Sequence, residues 1–102
     1  MPALEKDIEK AVCAYAKKLG CLVYKFVSPG QRGVPDRMII LPFGTVVFIE
    51  FKTPKGKLSP IQEREIAKLR DRNIQVLVSN EIEQTKGRLA SLIYFERVKQ
   101  QI

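Results

Sequence analysis

The sequence predicts an α/β domain, a mixed β-sheet flanked by helices, in the order α-β-β-β-α-β-α. Three observations carry that expectation. A long run of apolar residues at helical spacing opens the chain. Four short runs rich in β-branched and aromatic residues follow, most of them bounded by Gly, Pro or Asn. Between the third and fourth of these stands Ser59-Pro60-Ile61-Gln62, the wording of a helix start.

Taken in order, Leu4, Ile8, Ala11, Val12, Tyr15, Ala16 and Leu19 recur on one face of a helix, and Gly20 stops it. Leu22 to Val27 reads as a strand, and Ser28 to Val34, with Pro29, Gly30 and Gly33, as a loop. Arg37 to Leu41 is a second strand, turned by Pro42-Phe43-Gly44. Thr45 to Lys52 is a third, whose nearly continuous Val46-Val47-Phe48-Ile49 suits a strand covered on both faces. Thr53 to Leu58 is a basic loop. Ser59 caps a second helix, with Pro60 at its first position and Gln62 completing a capping box. Asn73 closes it, and Ile74 to Val78 is the fourth strand. Asn80, with Glu83 three residues later, is the expected start of a last helix reaching about Glu96, followed by a frayed basic tail. There is no repeat, low-complexity tract or internal linker, so residues 1–102 read as one domain.

Composition narrows the function. Of 102 residues, 45% are apolar and 28% charged, ordinary for a globular chain, but the net charge of +7 is not. Such an excess points to a polyanion: nucleic acid or an anionic membrane surface. No apolar run approaches the roughly 18 residues of a membrane span, and Met1 to Lys10 carries acids and helical periodicity, unlike a signal peptide. Cys13 and Cys21 make neither a disulfide framework nor a zinc quartet, and read as free thiols of a cytoplasmic protein. Histidine is absent altogether. That removes Ser-His-Asp triads, histidine–metal nucleases and most zinc hydrolases. Hydrolysis would have to rest on carboxylates, lysine and a hard, oxygen-seeking metal.

Pro35-Asp36 and Glu50-Phe51-Lys52 supply those groups. If strands two and three form a hairpin about Pro42-Phe43-Gly44, Asp36 and Glu50 lie equally far from the turn and pair across the strands. Lys52, two residues on, shares the face of Glu50. Two acids so placed can hold Mg²⁺, with a lysine beside the same phosphate. Against this stands the ordinary fate of charges at strand ends, which is solvation. On the first helix Glu5 lies about 60° from the centre of the apolar stripe, nearer than Asp7 or Glu9. It either leans inward as a third acid or simply complements the helix dipole. Gln62 falls on the buried side of its helix, where capping explains it and contact with water or phosphate is equally open. Lys25, Arg32, Arg37, Lys55 and Lys57 flank the acids on neighbouring loops and strands, positioned to hold a phosphodiester backbone without reading sequence. For each, a solvated surface position is the bland alternative.

The residues Glu5, Gly33-Val34-Pro35-Asp36, Ile49-Glu50-Phe51-Lys52 and Ser59-Pro60-Ile61-Gln62 together resemble the PD-(D/E)xK nuclease superfamily, with its restriction-endonuclease-like core. Within it the chain is most similar to the virus-type replication-repair nuclease (VRR-NUC) domain. The resemblance implies a Mg²⁺- or Mn²⁺-dependent DNA endonuclease acting on branched DNA such as Holliday junctions, of phage or bacterial type, working in DNA repair near the nucleoid. It implies Asp36 and Glu50 as metal ligands, with the Phe51 carbonyl as a possible third. Glu5 would complete the shell, directly or through water; Lys52 would act on the attacking water and Gln62 would assist. The products implied are 5′-phosphate and 3′-hydroxyl ends. Two symmetric nicks in a junction imply a C₂ homodimer, for which Leu89, Leu92, Ile93, Tyr94 and Phe95 of the last helix offer either a surface or plain core packing. The alternatives are a flap or duplex nuclease of the same fold, a non-catalytic DNA-binding module, and a basic RNA-binding structural protein.

Overall fold

The computed structural model describes residues 4–101. Residues 1–3, where the stretch read as unlike a signal peptide begins, lie outside the described residues. The elements are α1 (Glu5–Lys18), β1 (Leu22–Lys25), β2 (Arg37–Ile40), β3 (Val46–Phe51), α2 (Pro60–Arg70), β4 (Gln75–Ser79) and α3 (Ile82–Gln100). They follow the expected α-β-β-β-α-β-α order. The four strands form one mixed sheet in the order β1-β2-β3-β4. β1–β2 and β2–β3 are antiparallel, the second pair joined by a short turn and the first by the loop 26–36, while β3 and β4 are parallel and joined through α2. No described helix is long and apolar enough to cross a membrane.

Alternation along the strands sets the two faces. Ile39, Val47, Ile49, Phe51 and Leu77 point to one side, where they bury against Ile8, Val12 and Ala16 of α1 and Leu89 and Ile93 of α3. The residues between them, including Phe48, Glu50 and Val76, point to the other side, which α2 covers through its buried Ile66. Glu50 therefore lies on the face opposite the main core, the face on which α2 packs.

Each strand differs from expectation by one or two residues at an end, and three boundary differences bear on packing. β1 ends at Lys25, although Phe26 still donates its N–H to the Asp36 carbonyl at 2.9 Å. Glu81, with no side-chain capping bond, rather than Asn80 stands at the N-cap of the last helix, and the Asn80 amide instead donates to the Pro54 carbonyl at 3.5 Å. That helix also runs on to Gln100. Glu96 does not mark its end because the side chain is an anchor. Its carboxylate, buried within the sheet side of α3, accepts the N–H groups of Phe43 and Thr45, both at 2.7 Å. Burial pushes the Glu96 carboxyl upward, but the Thr45 and Phe43 hydrogen bonds outweigh it and hold its pKa below the usual range. One charged group thus ties the β2–β3 turn to the last helix. Glu96→Ala is expected to cost about 2–4 kcal/mol, two charge-assisted bonds less their exchange with water, with Glu96→Gln retaining part of it. Urea denaturation of the two variants measures both values.

Candidate active site

Sequence and register together build the site at the open end of the β2–β3 hairpin. The pairing Arg37↔Ile49 extends outward to Asp36 opposite Glu50, and to Pro35 opposite Phe51. Proline has no N–H to give the ladder, so the ladder fails at this step. The chain bends there: the Asp36 N–H turns to the Ile49 carbonyl at 3.0 Å, and the orphaned Phe51 N–H is taken by Asp36 Oδ2 at 2.8 Å. In a strand, N–H and C=O of one residue point to the same side. The Phe51 carbonyl therefore lies on the edge facing Asp36, with no N–H from Pro35 to receive. Lys52 faces the other way with its backbone, donating its N–H to the Ser79 carbonyl of β4 at 2.9 Å.

Glu50 is the most unusual group in the molecule. It is 2% exposed, and its Oε1 has no hydrogen-bond partner among the described residues. Burial raises its pKa most, followed by contact with the Asp36 carboxyl and by the charge of Asp36; Lys52 opposes them and Glu5 adds to them, leaving Glu50 pushed up to about 8. A buried carboxylate beside a second one is costly unless a proton or a cation neutralises it. An orphaned buried oxygen, a second carboxylate and an undonated carbonyl form an all-oxygen donor set, and such a set fits a hard divalent ion.

The remaining expected residues fall at different distances from this centre. Lys52 is half-buried on the face of Glu50 and close enough for its charge to pull the Glu50 pKa down. Glu5 is exposed at the first turn of α1 rather than leaning inward, yet its charge still acts on Glu50. Among the described residues no three His, Cys, Asp or Glu side chains form a ready metal cluster. The side chains give a pair, and further oxygens would come from the Phe51 carbonyl and water. Gln62 completes its capping box: its N–H donates to Ser59 Oγ at 3.3 Å, and its Oε1 accepts the Ser59 N–H at 2.9 Å. That leaves Nε2, a donor, available at the half-buried start of α2.

Gly33 brings α2 to the acids. Its φ is 82°, and a Cβ there would stand 2.8 Å from the Ile61 carbonyl oxygen and 3.0 Å from its carbon. Only a glycine allows the loop before Pro35-Asp36 to press on the first turn of α2. The loop is held there further by Gln31, whose Nε2 donates to Glu65 Oε2 at 3.1 Å. Gly33→Ala is expected to lose about 2 kcal/mol or more, from strain and clash together, and to lower activity as Asp36 and Gln62 separate. Thermal melting alongside a cleavage assay reads both.

Of the flanking cations, Lys25, Arg32, Lys55 and Lys57 are exposed. Arg37 is not free: its Nε donates to Glu9 Oε2 at 2.7 Å, with both side chains 27% exposed, and that bond raises its pKa. On α3, Leu89 and Ile93 belong to the core and Leu92 packs against it, leaving Tyr94 and Phe95 exposed at 63% and 62%. Of the five apolar residues named above, only those two form a surface.

Comparison with known proteins finds relatives in sequence and in fold. Residues 3–80 match the family model described as the VRR-NUC domain. The chain is 49% identical over 74 residues to the protein titled "Putative nuclease p44" of Acyrthosiphon pisum secondary endosymbiont phage 1, covering 72% of this chain and 80% of that one. A solved structure titled "VRR_NUC domain" superposes with a TM-score of 0.77 at 33% identity, over 83% of this chain and 94% of the other. A second, titled "VRR_NUC domain protein", gives 0.70 at 16% identity over 88% of each, a likeness of fold alone.

Proposed function

The chain belongs to the VRR-NUC domain family, and on that premise we propose that it is a Mg²⁺- or Mn²⁺-dependent, structure-selective DNA endonuclease acting on branched DNA such as four-way junctions. The observation that carries the reading is the buried Glu50, with an unpartnered oxygen, beside Asp36 and sharing its face with Lys52. A domain that only bound DNA would gain nothing from two carboxylates turned toward phosphates, and would be weakened by burying one.

Asp36, Glu50 and the Phe51 carbonyl would hold the ion, with Glu5 reaching it through water from the exposed first turn of α1. When bound, such an ion lowers the pKa of water and offsets charge developing on the phosphate. The chain supplies the rest. Asp36, clamped by the Phe51 N–H, keeps a fixed carboxylate orientation. Lys52 places an ammonium where the attacking water and a non-bridging oxygen meet, orienting one and stabilising the other. Gln62 Nε2 can donate to the same water or to phosphate. Water oxygen bonds to phosphorus, the bond to the 3′ oxygen breaks, and that oxygen takes up a proton. The ends are then a 5′-phosphate and a 3′-hydroxyl. One such site makes one nick, so a junction cut symmetrically calls for a C₂ homodimer, with exposed Tyr94 and Phe95 as the apolar pair offered to it.

A cleavage panel tests this reading: linear duplex, flap, splayed arm and four-way junction, each with Mg²⁺, Mn²⁺, Ca²⁺ or EDTA. Nicking of the junction in Mg²⁺ or Mn²⁺ and none in EDTA is the expected result. Binding of every substrate without cleavage in Mn²⁺ would replace the enzyme with a DNA-binding module, and preference for the flap would keep the enzyme and change its substrate.

A further inference from the structure

We infer that α1 carries a phosphate-binding track, made by Lys6, Lys10 and Lys17, which leads DNA backbone into the site from the side opposite the 53–58 loop. The inference rests on DNA being the substrate and extends that reading to a surface it does not need for chemistry. At about 100° per residue, Lys6, Lys10 and Lys17 fall within about 40° of one another around α1. They are one stripe, and not three scattered cations. All three line a single groove of about 370 Å³ together with Glu9, Cys13 and Arg37.

Arg37, on the α1 face of the sheet, lines one part of the groove and follows Asp36 in the chain, and Lys6 follows Glu5 in the first turn of α1, so the groove borders the acids across the end of β2. Lys25 is register partner to Arg37 on the adjoining strand, so it adds a cation on the same side of the sheet. The one carboxylate in the groove, Glu9, is already spent on Arg37 at 2.7 Å. That pair leaves the lysines as the uncompensated charge. From Lys6 to Lys17 the helix rises about 16 Å, enough to follow two or three successive phosphates of one strand at about 6–7 Å between neighbours along an extended backbone. Among the described residues the lining has no exposed aromatic ring on which a base could stack and no carboxamide to read a base edge, so the ligand is the phosphodiester backbone, recognised by charge.

The test is equilibrium binding of a fluorescent four-way junction and of a linear duplex in Ca²⁺, followed by anisotropy over a salt series. Lys6→Ala/Lys10→Ala/Lys17→Ala is compared with Arg88→Ala/Arg97→Ala/Lys99→Ala, a charge-matched change on α3. Each lysine taken away from a phosphate should reduce the slope of log affinity against log salt by about 0.9. The α1 variant is expected to lose about two to three such steps, and tenfold or more in affinity at low salt, on both DNAs. The α3 variant should keep its slope, and Lys6→Arg/Lys10→Arg/Lys17→Arg should keep the slope of the wild type. An unchanged slope in the α1 variant, or an equal loss in the α3 variant, would overturn the track, since net charge alone would then account for binding. Because the readout is binding without turnover, failure of the track is separate from failure of the nuclease reading, which shows in the cleavage panel.

Discussion

Asp36→Asn is expected to lower metal-dependent nicking by about 10³-fold or more while the protein melts close to the wild type. The choice of asparagine follows from what Asp36 does besides ligating. Its Oδ2 accepts the Phe51 N–H at 2.8 Å, in place of the Pro35 carbonyl that a continuous ladder would offer that N–H. An amide oxygen can still accept that bond, so the end of β3 stays in place and only the charge is lost. Asp36→Ala would leave the Phe51 N–H unpaired and cost about 1–3 kcal/mol as well, mixing a folding defect with a catalytic one. Lys52→Ala is expected to show the same loss of turnover with Mg²⁺-dependent stabilisation retained, because its role lies with water and phosphate. Cleavage by Asp36→Asn within a few-fold of the wild type would end the assignment of this acid pair as the catalytic centre.

The fold was legible because local signals agreed with one another. Ser59-Pro60-Ile61-Gln62 formed the capping box that its spacing predicts, and the hairpin about Pro42-Phe43-Gly44 set the register that brings Asp36 opposite Glu50. Where one residue serves two elements, the sequence was a poorer guide. Glu96 looked like the last polar residue of a helix, yet it is a buried clamp on a turn more than 50 positions away, a long-range pairing that no periodicity carries. Asn80 had the side chain of a cap but is used on a neighbouring loop.

The site divides in the same way. Asp36, Glu50 and Lys52 could be placed from the hairpin register and strand alternation together. The inward lean expected of Glu5 rested on a helical angle, and an angle cannot say how far a helix start projects beyond the sheet; Glu5 is exposed there. Pro35 could be read as a non-donor, but only the register shows that Phe51 is the residue it leaves undonated. Gly33 was visible as part of a motif, while its reason, a 2.8 Å approach to Ile61, is a contact between distant segments. The lysine stripe was within reach of the sequence, since the spacing of residues 6, 10 and 17 is a helical-wheel fact. What the sequence lacked was the groove that gives the stripe a direction.

Glu50→Gln is expected to separate stability from activity in opposite directions. In the metal-free protein Glu50 is pushed up to about 8 from an ordinary value of 4.5. Its folded pKa is therefore raised, so its stabilising contribution is complete below about pH 4.5 and is lost as pH rises through about 8. Between those limits the folded state holds one proton that the unfolded state has released. The free energy of unfolding then falls by about 1.4 kcal/mol per pH unit from this group. Glutamine mimics the protonated carboxyl at every pH and removes that slope. The variant should match the wild type near pH 4.5 and exceed it by a few kcal/mol near pH 8 in EDTA. It should also lose cleavage, and lose the stabilisation by Mg²⁺ or Mn²⁺ that the wild type shows most strongly at the higher pH, where a cation takes the place of the proton. Urea denaturation of both proteins from pH 5 to 8, with and without Mn²⁺, measures the two stability effects, and a junction-cleavage assay measures the third. A wild type whose metal-free stability keeps pace with the variant up to pH 8 would show that Glu50 is not held protonated, and the case for a cation at this carboxylate would lose its physical basis.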